Sequence, residues 1–128
     1  MKEKTMHSAA TPMAAPLAIT MGDPLGIGPE IIVRMAMDPQ QPDAPYVVIG
    51  DAACLARAAQ SLGVDLAIRR IDRPAEALRT PSRPGELLAL QVGSGFPPDA
   101  VLGQVDPRAG AASYTYVQCA VDLALAGE

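Results

Sequence analysis

Residues Leu17–Asp38 read LAITMGDPLGIGPEIIVRMAMD. Leu17–Met21 is a short apolar run, partly β-branched, that stops at Gly22. Pro29–Asp38 places Ile31, Ile32, Met35 and Ala36 on one face of a helix, with Pro29 suited to a first helical position and Pro39 closing the pattern. The order is strand, glycine turn, helix. A second apolar run, YVVIG at Tyr46–Gly50, supplies the next strand, and a connection of this kind favours parallel pairing through a right-handed crossover. Both runs are predicted to be fully buried strands.

The same alternation continues outward. Asp51 fits the N-cap of a helix on which Leu55, Ala58, Ala59 and Leu62 recur, and Gly63 fits the position just past its end. A third strand is expected at Leu66–Ile71, an exposed connection at Asp72–Pro84 with a helical turn at Pro74–Leu78, and a fourth strand at Glu86–Val92. Gly93–Pro107 reads as a loop. The longest helical pattern is Pro107–Ala126, capped by Asp106, ended by Gly127, with Ala109, Ala112, Tyr116, Cys119 or Ala120, and Leu123 along one face. The class is α/β: a partial doubly wound, mostly parallel sheet with flanking helices.

A chain of 128 residues, 49% hydrophobic and 19% charged, has room for one such core and too little for two of usual size. With no Trp and 3% aromatic residues, Ala, Leu, Ile and Val must fill it. The net charge is −4, and no cluster of Lys and Arg forms the footprint that a phosphate backbone requires, so nucleic acid is not an expected partner. Residues 1–16 read as a flexible tail and 17–128 as the folded unit. No apolar run suits a secretory signal or a membrane span, so no membrane partner and a cytoplasmic location are expected. Cys54 and Cys119, far apart on predicted helices, read as buried free thiols.

The glycine turn is also the candidate site. A strand that leads through glycines into a helix presents free N–H groups and the positive end of the helix dipole at the carboxyl edge of a sheet. Gly22 lets the chain leave the strand in a conformation closed to other residues, and Gly26 and Gly28 let a ligand approach the backbone without meeting a Cβ. The amides of Gly26, Ile27 and Gly28 are the available donors, while Pro24 and Pro29 stiffen the loop. Two familiar motifs are excluded. The dinucleotide fingerprint needs a glycine where Ile31 stands, and a phosphate loop needs a lysine, of which there is none after Lys4. Asp51 fits a plain helix cap, with a ribose-binding acid, which would sit at about this place, as the lesser alternative. Asp23 as a turn former and Glu30 as a first-turn acid have structural readings that compete with ligand roles.

The run ITMGDPLGIGPEIIV resembles the N-terminal signature of the 4-hydroxythreonine-4-phosphate dehydrogenase family, through Thr20, Gly22, Asp23, Pro24, Gly26, Ile27, Gly28, Pro29 and Glu30. Leu25 departs, the family usually having a small residue there, and a larger side chain is expected to reshape the loop. YVVIGD at Tyr46–Asp51 and Gly103–Glu128 also read like the family, so the resemblance covers nearly all of Pro16–Glu128. It implies an isocitrate or isopropylmalate dehydrogenase-like fold of two α/β lobes, of which this would be an incomplete first lobe, and a homodimer. It also implies oxidation of a secondary alcohol with NAD or NADP and a divalent metal (Zn, Mg or Co), on a small-molecule substrate of the phosphorylated hydroxy acid type.

By the same resemblance Gly22, Asp23, Gly26, Ile27, Gly28 and Glu30 line the cofactor side of the cleft between the lobes. The family's metal-binding histidines and its substrate-contacting His-Thr pair lie downstream of the signature, so neither catalytic nor metal-ligating residues are assigned here. His7, in the tail, is assigned no role. The chain alone is expected to be inactive and to bind neither cofactor nor metal stably. A variant Gly28→Val is expected to weaken binding in an active parent with little loss of folding. The reading from another class is a complete small anion-binding or interaction domain without redox activity, against which stands apolar surface left on the last helix and an uncovered sheet edge.

Overall fold

The structure, a computed structural model, describes residues 15–41 and 43–128. Most of the tail expected over 1–16, including His7, lies outside the described residues. Leu17–Thr20 (β1) pairs in parallel with Tyr46–Gly50 (β2), Leu17 opposite Tyr46 and Thr20 opposite Ile49. Glu86–Gln91 (β4) lies on the other side of β2, with Val48 opposite Ala89, and Ala67–Ile71 (β3) lies beyond β4. Among the described residues the sheet has four strands, all parallel, in the order β1-β2-β4-β3.

The helices are Gly28–Met37 (α1), Ala52–Leu62 (α2) and Pro107–Leu125 (α3), with a 3-10 turn at Pro74–Arg79. β1 to β2 and β2 to β3 step the same way across the sheet, so right-handed crossovers put α1 and α2 together on one face, and the two pack on each other. β3 to β4 steps back, which sends the 3-10 turn to the opposite face, where it meets β2. Every residue of β2 is buried, so both of its faces are covered; α3, packed against β1 and β2, supplies the rest of the second cover.

Each helix end follows from its sequence. Asp51 accepts the Ala53 N–H at 2.9 Å to start α2, and Gly63, at φ 69°, ends it in the left-handed conformation that favours glycine. Asp106 accepts the Arg108 N–H at 2.9 Å at the head of α3, and the Arg108 guanidinium closes on the same carboxylate at 2.7 Å, holding it below the usual aspartate range.

Three expectations are corrected. β1 is not fully buried: it is the sheet edge, and Leu17 is 47% exposed. The buried face of α1 is centred on Val33, with Pro29, Ile32 and Ala36, while Ile31 points out and Met35 is half-buried. Cys54 is buried but Cys119 is only half-buried; both thiols are free. α3 meets its expected face, with Ala109 and Tyr116 buried and Ala112, Cys119, Ala120 and Leu123 half-buried. Its opposite side carries Tyr114, Val117, Val121 and Leu125 in the open. Among the described residues no helix is long and apolar enough to cross a membrane.

Candidate functional site

The carboxyl edge of the sheet gathers the loop from Met21 to Gly28, the end of β2 at Asp51, and the loop after β4. The first of these is held from within. Gly22 has φ 77°, as its turn requires. The Asp23 carboxylate accepts the Leu25 N–H at 2.8 Å, and its carbonyl accepts the Gly26 N–H at 3.0 Å. Asp23 is therefore the former of the turn, the structural role its position suggests. The Leu25 side chain is buried, and its carbonyl accepts the Gly103 N–H at 2.8 Å, so the residue that departs from the family pattern is an anchor between two loops.

Gly28 does something the sequence reading did not assign to it. A Cβ there would stand 2.1 Å from the Met21 carbonyl oxygen, a backbone atom that cannot swing aside. The missing side chain admits the first turn of α1 against the end of β1 rather than admitting a ligand. The expectation that Gly28→Val would spare folding is thereby corrected. Gly50 has the same function from the next strand: a Cβ there would lie 2.6 Å from the Met21 Cβ. At Gly26 a Cβ would meet only Asp23 at 3.5 Å, ordinary contact, and the residue is exposed. Of the three proposed donors, the Gly26 amide is spent on Asp23, while the Ile27 and Gly28 amides have no protein acceptor among the described residues.

Ile27 is 69% exposed beside these amides. Glu30 pairs with Arg34 at 3.1 Å one helical turn on, both side chains largely in solvent. Outside the loop a cavity of about 440 Å³ opens, walled on one side by Gly26, Ile27 and Glu30 and on the other by Cys54, Arg57 and Ser61 of α2. Burial, with the negative charge of Asp51 beside it, pushes the Cys54 thiol up to about 11, so it is a neutral wall group at physiological pH. Arg57 supplies the positive charge of that wall. Sequence reasoning missed it, although Cys54, Arg57, Ala58 and Ser61 recur at helical spacing and mark a second face of α2, beside the one that packs on the sheet.

Asp51 resolves as a cap. It is 2% exposed, one carboxylate oxygen takes the Ala53 N–H, and the other takes the Phe96 N–H from the loop after β4. The Ala52 N–H goes to the Gln91 side chain at 2.9 Å, so the head of α2 is closed by protein groups. Among the described residues no three His, Cys, Asp or Glu side chains come together as metal ligands. The carboxylates at this edge are committed to a turn, a cap and an ion pair, so the donor set here does not fit a divalent metal.

No family model matches the chain. It is 42% identical to the D-threonate 4-phosphate dehydrogenase of Bordetella bronchiseptica over 95% of its own length and 35% of that protein's. A 4-hydroxythreonine-4-phosphate dehydrogenase structure from Klebsiella pneumoniae superposes with a TM-score of 0.78 at 35% identity, covering 92% of this chain and 35% of that one. A terephthalate 1,2-cis-dihydrodioldehydrogenase structure from Burkholderia xenovorans gives a TM-score of 0.63 at 32% identity, covering 88% and 31%. The α/β fold with its parallel four-stranded sheet is thus shared with solved dehydrogenases. The chain spans about a third of the length of the relatives it matches, and over nearly all of its own length it resembles that third of a 4-hydroxythreonine-4-phosphate or D-threonate 4-phosphate dehydrogenase.

Proposed function

We infer that the loop Gly22–Glu30 and the facing side of α2 form one wall of the cleft of a nicotinamide-dependent dehydrogenase, within a polypeptide of the relatives' length. The observation that carries this is the cavity of about 440 Å³ opening where the loop similar to those dehydrogenases meets Arg57. A nicotinamide held here would supply the hydride acceptor for a secondary alcohol, and the residues of this wall would bind it and exclude water. Gly22, Asp23 and Gly28 shape the wall from behind, and Gly26, Ile27 and Glu30 face the space. The exposed Ile27 side chain suits an apolar ring, and Arg57 suits a phosphate or carboxylate.

The whole enzyme on this reading is a two-lobed, homodimeric protein with a divalent metal bound outside the present residues. Its substrate is a small phosphorylated hydroxy acid, 4-phosphohydroxy-L-threonine or a close relative, whose oxidised form loses carbon dioxide on the way to pyridoxal phosphate. The names of the similar proteins support an alcohol-oxidising dehydrogenase and differ on the substrate. The 128-residue chain by itself is expected to show no turnover.

Backbone amide NMR of a polypeptide of the relatives' length, titrated with NAD and NADP, tests the assignment. Shifts at Gly26, Ile27, Gly28 and Arg57, weakened about tenfold or more by Arg57→Ala, are expected, since a hydrogen bond to a charged group contributes about 1.5–3 kcal/mol. Shifts confined to another part of the sheet, or none at millimolar cofactor, would overturn the assignment of this wall to the cofactor.

A further inference from the structure

We propose that Asp51 is a positioning residue, which holds the glycine loop in place through the segment Phe96–Gly103. The proposal rests on the reading of that loop as a cleft wall and adds to it the device that fixes the wall. Asp51 is a buried carboxylate with two distinct jobs. One oxygen caps α2 at the Ala53 N–H, 2.9 Å away. The other receives the Phe96 N–H, presented by a turn at Gly95 with φ 108°, and a Cβ on Gly95 would stand 4.0 Å from that same oxygen.

From Phe96 the chain runs to Gly103, whose N–H returns to the Leu25 carbonyl at 2.8 Å, and Leu25 is in turn held by the Asp23 carboxylate. Two hydrogen bonds, one at each end of the segment, therefore couple the end of β2 to the turn that leads into α1, beside the packing of Phe96 on the core. Between them Val101 and Leu102 are more than half exposed, so burial of these two side chains contributes little to holding the path. Leu102 and Gly103 also border the cavity beside Ile27, which puts the far end of the strap on the proposed cleft itself.

A helix cap needs one acceptor, and the strap needs the second. Asp51→Ser keeps a good cap and has a single oxygen on a shorter side chain; Asp51→Asn keeps one acceptor and replaces the other with a donor. Amide hydrogen exchange of the full chain without ligand reads the difference. In both variants exchange at Phe96, Gly103, Leu25 and Gly26 is expected to quicken by about tenfold or more, the size of a lost hydrogen bond to a charged group, with Val48 and Ile49 unchanged. Asp51→Ala, which also removes the cap, is expected to quicken exchange throughout α2 as well.

Wild-type protection at Gly103 and Leu25 in the Ser and Asn variants would overturn the proposal, as would a uniform rise that includes Val48 and Ile49. If Asp51→Ser does not fold, Asp51→Asn read the same way decides. Titration of a polypeptide of the relatives' length with NAD separates this from the cofactor reading. Wild-type protein that ignores NAD while the exchange pattern appears leaves the strap standing and removes the cofactor; NAD binding with no change in exchange does the reverse.

Discussion

Two loops rich in glycine and proline leave the same edge of the sheet, and they are built on different physics. Met21–Gly28 is set by exclusion: Gly28 and Gly50 leave no room for a Cβ beside Met21, and Pro24 and Leu25 are buried. Gly93–Pro107 is set by attachment, through Phe96 to Asp51 and Gly103 to Leu25, and its Val101, Leu102 and Val105 stand largely in solvent. In the first loop Gly28 makes space between backbones and Gly22, at φ 77°, supplies a turn; in the second glycine only supplies turns, at φ 80° in Gly93, 108° in Gly95 and 81° in Gly103. The composition of the two stretches is alike, and the cost of changing them is not.

The largest effect that separates them is expected at Gly28. Gly28→Val must displace α1 from the end of β1, and loss of about 3 kcal/mol or more, seen as insolubility or a collapsed urea midpoint, is expected from overpacking against backbone. Folding of Gly28→Val within about 1 kcal/mol of wild type would break the contrast. Next comes Gly50→Ala, at about 1–3 kcal/mol, against the backbone-fixed Cβ of Met21 at 2.6 Å and its more mobile sulfur at 3.0 Å. Adding Met21→Ala removes the sulfur and Cγ contacts at 3.0 and 3.3 Å but keeps the Cβ, so it should recover only the part of that loss that those two atoms cause.

Alanine at Gly22 and at Gly103 meets no atom within 4 Å in either loop, and both have positive φ, 77° and 81°. Each is expected to cost about 1–2 kcal/mol for the left-handed conformation alone, the two matching in thermal melts. A smaller contrast lies in the thiols. Cys54, buried and pushed up to about 11, should react with a thiol reagent at pH 8 far more slowly than half-buried Cys119 in the native protein, with the two rates converging in denaturant. The smallest effect is at the surface: Glu30→Gln breaks the exposed pair with Arg34 and should change stability by about 0.5 kcal/mol or less, with the difference vanishing in high salt.

The strands, the helices and their caps were legible because each depends on neighbours in sequence: the period of α2, the Asp51 and Asp106 caps, and Gly63 past a helix end. Burial of β1 was not, since an apolar run of four residues reads the same at an edge as in the middle, and strand order decides. The outward turn of Ile31 likewise depends on where α2 lies against α1. At the site, Asp23 and Gly22 were readable as turn residues. Gly28 was not, because its neighbour is the carbonyl of Met21, brought close only when α1 packs against the strand end. The helical spacing that marks the Arg57 face does not say what it faces, and the Phe96 and Gly103 ties join stretches far apart in sequence, pairs for which a single sequence carries no signal.

The strand order also has a consequence in time. β1 and β2 can meet as soon as Gly50 has been synthesised, but β2 completes its second edge only when β4 arrives, with Val48 opposite Ala89. The nascent chain therefore holds a central strand paired on one side only while α2, β3 and the 3-10 turn are made, and non-local parallel pairing of this sort slows folding. Until β4 closes on β2 the open edge of β2 is the exposed strand edge at which a partly made chain is most prone to mispair.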